Sequence, residues 1–385
     1  MSKFKYTVTT EDEGQPIKWI IRNRFSFSAR MRTKIKHGEL ATLNGEKALG
    51  WLPVEVGDVI EINLPDEKSD FEAEDIPISV VFEDDDLLVI NKQAGIVVHP
   101  TMGQPRHTMA NAVMYYMEKT GQSFKIRFVN RLDRDTSGLL IVAKNAFAQE
   151  ELTKQMKEGK VSKRYNALLC GIIDSDGTID KPIGRPDPVR VERGVLPVEA
   201  GGFPSVTHYK VIKNFAYSSV KLGNVVTSGL GENGENLGID REDLRLVYSK
   251  IDEKRMKELF EAGDAAKCEG ITLAEIRLET GRTHQIRVHM GSIDHHVVGD
   301  TLYGGVLGNL GDAHDCGNEG KDSSSKTNTA TEGEKKPTFR PLIERQALHA
   351  RYLSFFHPIT GEHMELEAPL PEDIEEAINN LKPSN

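Results

Sequence analysis

Nine consecutive residues, Asn130-Arg131-Leu132-Asp133-Arg134-Asp135-Thr136-Ser137-Gly138, hold two arginines, two aspartates, a threonine and a serine between two apolar, strand-like runs. Guanidinium neighbours keep an aspartate ionised even where a cleft strips water from it. An ionised Asp133 can serve as a nucleophile or a base. Taken alone, the loop fits a polar turn with surface ion pairs at least as well, so its chemistry depends on what else the chain supplies.

Two further clusters supply it. Gly281-Arg282-Thr283-His284-Gln285-Ile286-Arg287-Val288-His289 follows the alternating run Ile271–Leu278. A helix over 283–290 sets His284 and Arg287 on one face. The plainer readings are a solvated helix start, or a phosphate site of helix N–H groups plus arginine. In Lys163-Arg164-Tyr165 two cations precede an aromatic ring and an apolar strand. A ring beside basic residues can stack an extruded base, although a single strand tyrosine is more often core. Adjacent His295 and His296 cannot both face one metal from a strand, and no metal site is expected there.

The elements that must position these clusters follow from apolar spacing. Residues 17–36 read as helical, with Trp19, Ile20, Phe27, Met31 and Ile35 recurring at helical steps. Leu40, Thr42 and the Asn44-Gly45 pair predict a strand entering a hairpin turn, and Val54–Leu64 a strand pair around Gly57-Asp58. Residues 1–65 thus form a small unit of two short helices and a few strands. The acidic stretch 66–77 is a linker, and 78–385 a larger unit. There Leu87–Ile90 reads as a buried strand, Thr108–Lys119 as a helix, and Ala146–Glu158 as a helix closed by Gly159. Val161–Gly171 reads as a strand, Leu348–Phe356 and His363–Ala368 as a hairpin, and Asp373–Leu381 as the last helix. Segments 223–268 and 305–340 read as insertions, the second too poor in large apolar residues to order itself. Strands and helices mix without regular βαβ alternation, so the expected class is α+β with a mixed, mainly antiparallel central sheet.

Net charge is −10, which on its face argues against a nucleic-acid partner. The distribution argues otherwise. Between Ile17 and Lys47 eight Lys or Arg, Arg30, Arg32 and Lys34 among them, meet two acids. The plain alternative is a solvated helical face. No stretch has the apolar length that crosses a bilayer, and the start MSKFKYTVTTEDEG has no signal-like apolar run. Three separated cysteines form no CxxC pair, which fits a reducing, cytoplasmic setting.

The order of these pieces resembles the RluA-type pseudouridine synthase family over most of residues 80–370. The likeness rests on DDDLLVINKQAGIVVHP, NRLDRDTSGLLIVAKN, KRYNALLCG, LETGRTHQIRVHM with GDTLYGG, and ALHARYLSFFHPITGE. Residues 1–65 are similar to the S4 RNA-binding module, an α/β unit that often precedes that catalytic domain. The resemblance implies a pseudouridine synthase fold and Asp133 as the catalytic carboxylate that breaks the N1–C1′ bond of a flipped uridine. It implies that Tyr165 stacks on the uracil and can act as a base. Arg287 pairs with the aspartate, Arg282 being the second choice, and Arg131 fills the space the uridine leaves. His284, Lys163, Arg30, Arg32 and Lys34 are expected RNA contacts. One bond is exchanged for another within a nucleotide, so no metal and no redox cofactor are implied. A monomer is expected, acting on large-subunit ribosomal RNA, with transfer RNA as the other option. The chain departs from the family's pattern at Asn130, where His is usual, and at Gln93, where Pro is common. Two other readings remain to be weighed: an RNA-binding or ribosome-assembly protein without activity, and a magnesium-dependent phosphotransferase using Asp133-Arg134-Asp135-Thr136.

Overall fold

Asn44 and Gly45 both take left-handed backbone angles, φ 52° and 89°, as a two-residue hairpin turn demands. The turn closes a small antiparallel sheet of β1 (Lys3–Thr7), β2 (Ala41–Leu43), β3 (Glu46–Lys47) and β4 (Val59–Asn63), in the order β1-β4-β2-β3. Residues 3–25, 27–37, 39–64, 67–101, 103–216, 270–305, 308–311 and 338–383 are described by the computed structural model. They fall into two units, Met1–Ser162 with Tyr352–Ala368, and Lys163–Arg351 with Pro369–Asn385.

In the first unit the helical stretch near the start splits into α1 (Ile17–Asn23) and α2 (Ala29–His37). The Ser28 hydroxyl accepts from the Met31 N–H at 3.1 Å and so starts the second helix. Phe4, Ile17, Ile20, Phe27, Ile35, Ile60 and Ile62 bury against the small sheet, and Phe147 enters the same cluster. The expected strand pair within Val54–Leu64 is corrected. Only Val59–Asn63 is a strand; it pairs with β1 and β2, while the Val54 N–H donates to the Gln15 carbonyl. Beyond it, residues 67–78 contain no helix or strand, yet side chains pin them. Glu67 takes Lys34 at 2.7 Å and also Arg127, and the Ser69 hydroxyl accepts from the Ile126 N–H at 2.8 Å.

Next come β5 (Ser79–Glu83), β6 (Leu87–Lys92), α3 (Met109–Thr120), β7 (Arg127–Phe128), β8 (Ser137–Ala143) and α4 (Ala146–Lys157). Strand β6 lies between β5 and β8, antiparallel to both. Its pleat explains its unbroken apolar run. Leu88 and Ile90 pack with Met109 and Val113 of α3, while Leu87 and Val89 pack with Ala148 and Leu152 of α4. Thr108 caps the start of α3 with a reciprocal Asn111 box, and α4 closes as expected, Gly159 taking φ 69° after it.

In the second unit the strands are β9 (Ser162–Cys170), β10 (Gly177–Asp180), β11 (Ile183–Gly184), β12 (Gly194–Val195), β13 (Val206–Ala216) and β14 (Gly270–Leu278). The order β10-β13-β14-β9 is antiparallel throughout. Then come α5 (Gln285–Gly291), β15 (Gly308–Gly311) paired with β16 (Thr338–Pro341), and β17 (Leu348–Phe356), whose end returns to the first unit. There it forms the expected hairpin with β18 (His363–Glu367). Helix α6 (Glu372–Asn379) packs Ile374 and Ala377 on Leu168, Phe215 and Ile271, and β19 (Lys382–Pro383) pairs with the end of β13. The mainly antiparallel α+β class is borne out in both units. Insertion 223–268, with Cys268, and residues 312–337, with Cys316, lie outside the described residues. No described helix is long and apolar enough to cross a membrane.

Candidate active site

Asp133 sits in a loop closed at its base and pinned in its middle. At the base, the Asn130 side chain imitates a strand residue, donating to the Leu139 carbonyl at 3.0 Å and accepting from the Ile141 N–H at 2.8 Å. In the middle, the fully buried Lys92 donates to the carbonyls of Gln93, Ile96 and Arg134 at 2.8, 2.8 and 2.9 Å. The Thr136 N–H returns to the Asp133 carbonyl at 3.2 Å, Leu132 is buried, and Asp133 is half-buried. The Arg134 guanidinium turns to Asp135 at 3.2 Å. The surface ion pair expected of a plain polar turn therefore exists, and it involves Asp135. Arg131 is exposed, and His99 packs edge-on to Phe128 at 4.9 Å. Partial burial, aided by the Arg131 charge, holds the His99 pKa below its usual value.

The second unit carries the other expected residues. Tyr165 is buried on β9 opposite Ile276 of β14, and Arg164 pairs with Glu275 at 3.3 Å. The Lys163 amino group lies 3.4 Å from where a Cβ on Gly281 would stand, and burial lowers its pKa. Helix α5 starts at Gln285, two residues later than expected, because His284 takes a left-handed φ of 59°. Gln285 fixes this turn. Its carbonyl oxygen accepts from the Thr280 hydroxyl at 2.8 Å and the Arg282 N–H at 3.0 Å, and its amide donates to Val206 and Thr207.

Arg287 is buried and makes a two-point pair with Asp300, Nε to Oδ2 at 2.6 Å and Nη2 to Oδ1 at 2.8 Å. Asp300 also accepts from the Leu302 and Tyr303 N–H groups. Such a carboxylate meets the charge and geometry of a buried guanidinium and fixes its plane. The guanidinium lies 4.9 Å from the Tyr303 ring centre, and the Tyr303 hydroxyl meets His284 Nδ1 at 2.7 Å. Arg282 is exposed, its guanidinium 5.4 Å from the Phe203 ring centre.

Thus His284 and Arg287 meet through Tyr303, and Lys163 lies beside the turn bearing Arg282. Asp133 and Arg131 belong to the first unit, as do Arg30, Arg32 and Lys34 on α2. Arg30 is exposed; Arg32 donates to the Phe27 carbonyl at 2.5 Å, and Lys34 is engaged by Glu67. Lys92, Gln285, Asp300 and Tyr303 escaped sequence reasoning as positioning groups. The one available signal was polarity out of place, a lysine ending an apolar strand and an aspartate within GDTLYGG. Asp84, Asp86 and His357 in the first unit also bring possible ligand atoms together. They are engaged locally: His357 Nδ1 accepts backbone N–H groups of Ile359 and Thr360, Nε2 faces Asp84 at 2.8 Å, and Asn145 donates to Asp86.

Compared with known proteins, residues 86–292 match the family described as RNA pseudouridylate synthase. A ribosomal large subunit pseudouridine synthase D of Haemophilus influenzae is 33% identical over 97% of this chain and 94% of its own length. Its namesake from Salmonella typhimurium is 31% identical over 98% and 93%. The solved structure of human RNA pseudouridylate synthase domain containing 1 aligns with 80% of this chain and 89% of its own, at 23% identity and a TM-score of 0.47.

Proposed function

The chain belongs to the RNA pseudouridylate synthase family, and we propose that it isomerises uridines of large-subunit ribosomal RNA with Asp133 as the reacting carboxylate. Relatives named for that subunit, similar over nearly their whole length, support the substrate. The match removes the phosphotransferase alternative. One observation supports the role of Asp133: the buried Lys92 and Asn130 hold the backbone of the loop that presents it.

The isomerisation is balanced within one nucleotide. The N1–C1′ bond breaks, the uracil turns, C5 bonds to C1′, the C5 proton leaves and N1 gains one. Asp133 starts it by attacking C1′, to be released again as C5 bonds there, or by taking the 2′ proton, which it returns once C5 has bonded. Tyr165 stacks on the uracil and takes the C5 proton. Arg287, its plane set by Asp300, is the arginine that the family resemblance pairs with the catalytic aspartate. Extruding the uridine costs a few kcal/mol, and Arg131 fills the gap it leaves. Arg30, Arg32 and Lys34 on α2, with Lys163, Arg282 and His284, hold the RNA backbone. The protein acts as a cytoplasmic monomer.

Pseudouridine mapping of ribosomal RNA tests this reading, in a deletion strain complemented with wild-type or Asp133→Asn protein. One or a few large-subunit sites should vanish on deletion and return with wild type alone. Loss confined to transfer RNA would overturn the substrate, and no loss at all would favour the inactive RNA-binding alternative.

A further inference from the structure

We propose that Phe203, with Arg282 over its face, is a stacking platform for a second, unpaired base of the RNA, next to the uridine that is extruded; this rests on the function proposed above. Lone exposed apolar side chains are ordinary and need no explanation. Phe203 differs because its backbone is fixed while its ring is left out. The residue is 60% exposed. Its N–H and carbonyl are both bonded to Ile183, at 2.8 and 2.9 Å, and the carbonyl also accepts from the Ser205 hydroxyl at 2.8 Å. The preceding turn admits only glycine: a Cβ on Gly202 would stand 1.8 Å from the Leu196 carbonyl oxygen. An aromatic ring held this firmly in water loses little entropy when a flat partner covers it.

The surroundings say what that partner is. The Arg282 guanidinium lies 5.4 Å from the ring centre, and its own backbone is fixed by Gln285 at 3.0 Å. The Lys163 amino group lies beside Gly281, the residue before Arg282. A ring beside one guanidinium, with a lysine amino group next to the same turn, suits a base with its phosphates. With Tyr165 assigned to the uracil, Phe203 is, among the described residues of the second unit, the exposed ring that can serve a neighbour.

The test uses the full chain and a short oligoadenylate, which stacks well and contains no uridine to react. Phe203→Ala should weaken oligoadenylate binding roughly ten-fold, the range for one lost base stack, without changing its salt dependence. Phe203→Tyr should bind like wild type and Phe203→Leu like Phe203→Ala, since an apolar side chain without a π-face cannot stack. Arg282→Gln should weaken binding and also flatten the salt slope. Phe203→Trp should show emission quenched by oligoadenylate beyond the wild-type response of Trp19 and Trp51. Because Phe203 is exposed, the melting temperature of each Phe203 variant should stay near wild type, which separates lost stacking from lost folding. Equal affinity of wild type, Phe203→Ala and Phe203→Leu would overturn the platform, even in an active enzyme. Quenching by oligoadenylate in a protein that forms no pseudouridine would instead leave the platform standing and remove the function.

Discussion

The Asp133 loop and the Arg287 turn solve the same problem in different ways. In the first, a buried lysine and an asparagine grip backbone groups, so the loop's shape is fixed through its main chain. In the second, side chains grip side chains: Asp300 holds Arg287, Tyr303 meets His284, and Gln285 ties the turn to Thr207. The difference separates their failure modes. Damage to the first grip should deform a loop, and damage to the second should misdirect one cation.

The largest effect is expected from Lys92→Met. It removes the shared donor of three part-buried carbonyls, at up to about 1–3 kcal/mol each, so the melting temperature should fall sharply and turnover with it. Normal stability and activity in that variant would break the comparison at once. Asp300→Asn comes next. It keeps the shape and removes the charge that orients Arg287, and turnover should drop about a hundred-fold, as for a displaced catalytic group, with a smaller loss of stability. Asn130→Ala leaves the Leu139 carbonyl and the Ile141 N–H unpaired and should cost about 1–3 kcal/mol in a denaturant titration. If Asn130→His matches wild type, the chain's departure from its family is a substitution between equivalent clasps.

The units should also part in acid. His289 is fully buried between the Thr207 hydroxyl and the Lys181 carbonyl, and burial holds its pKa below the usual imidazole value. The unfolded chain then binds the extra proton more readily. Its contribution is present above about pH 6.5 and is lost as pH falls through the window below, with a slope of at most about 1.4 kcal/mol per pH unit. His99 of the first unit is largely accessible, its ring only partly desolvated, and should add less. Hydrogen exchange at pH 7 and 5 should show α5 and β13 loosening before β6 and β8; the reverse order would contradict it. The smallest effect belongs to Gln93→Ala, which removes one bond to the Pro77 carbonyl and should move stability by about 0.5 kcal/mol or less.

Much of this was legible in the chain itself. Continuous apolar runs marked β6 and β8, Asn44-Gly45 marked the hairpin, and Gly159 marked the end of α4. What stayed hidden depended on distant partners. The alternation of Lys3-Phe4-Lys5-Tyr6-Thr7 becomes strand β1 only because β4 lies beside it. The start of α5 was misjudged because Gln285, reaching back to Thr280 and Arg282, makes His284 a left-handed turn residue. Asp300 gave no sign of its role because nothing in local spacing links it to Arg287, thirteen residues before it.

One loop offers the most direct test, because it holds two aspartates two residues apart with different assignments. Purified Asp133→Asn and Asp135→Asn proteins should be incubated with large-subunit ribosomal RNA lacking the modification, and pseudouridine counted by mass spectrometry. Asp133→Asn should form none while still binding the RNA, and Asp135→Asn, which weakens the exposed pair with Arg134, should remain active. Product from Asp133→Asn at the wild-type rate, or its loss in Asp135→Asn alone, would contradict the assignment.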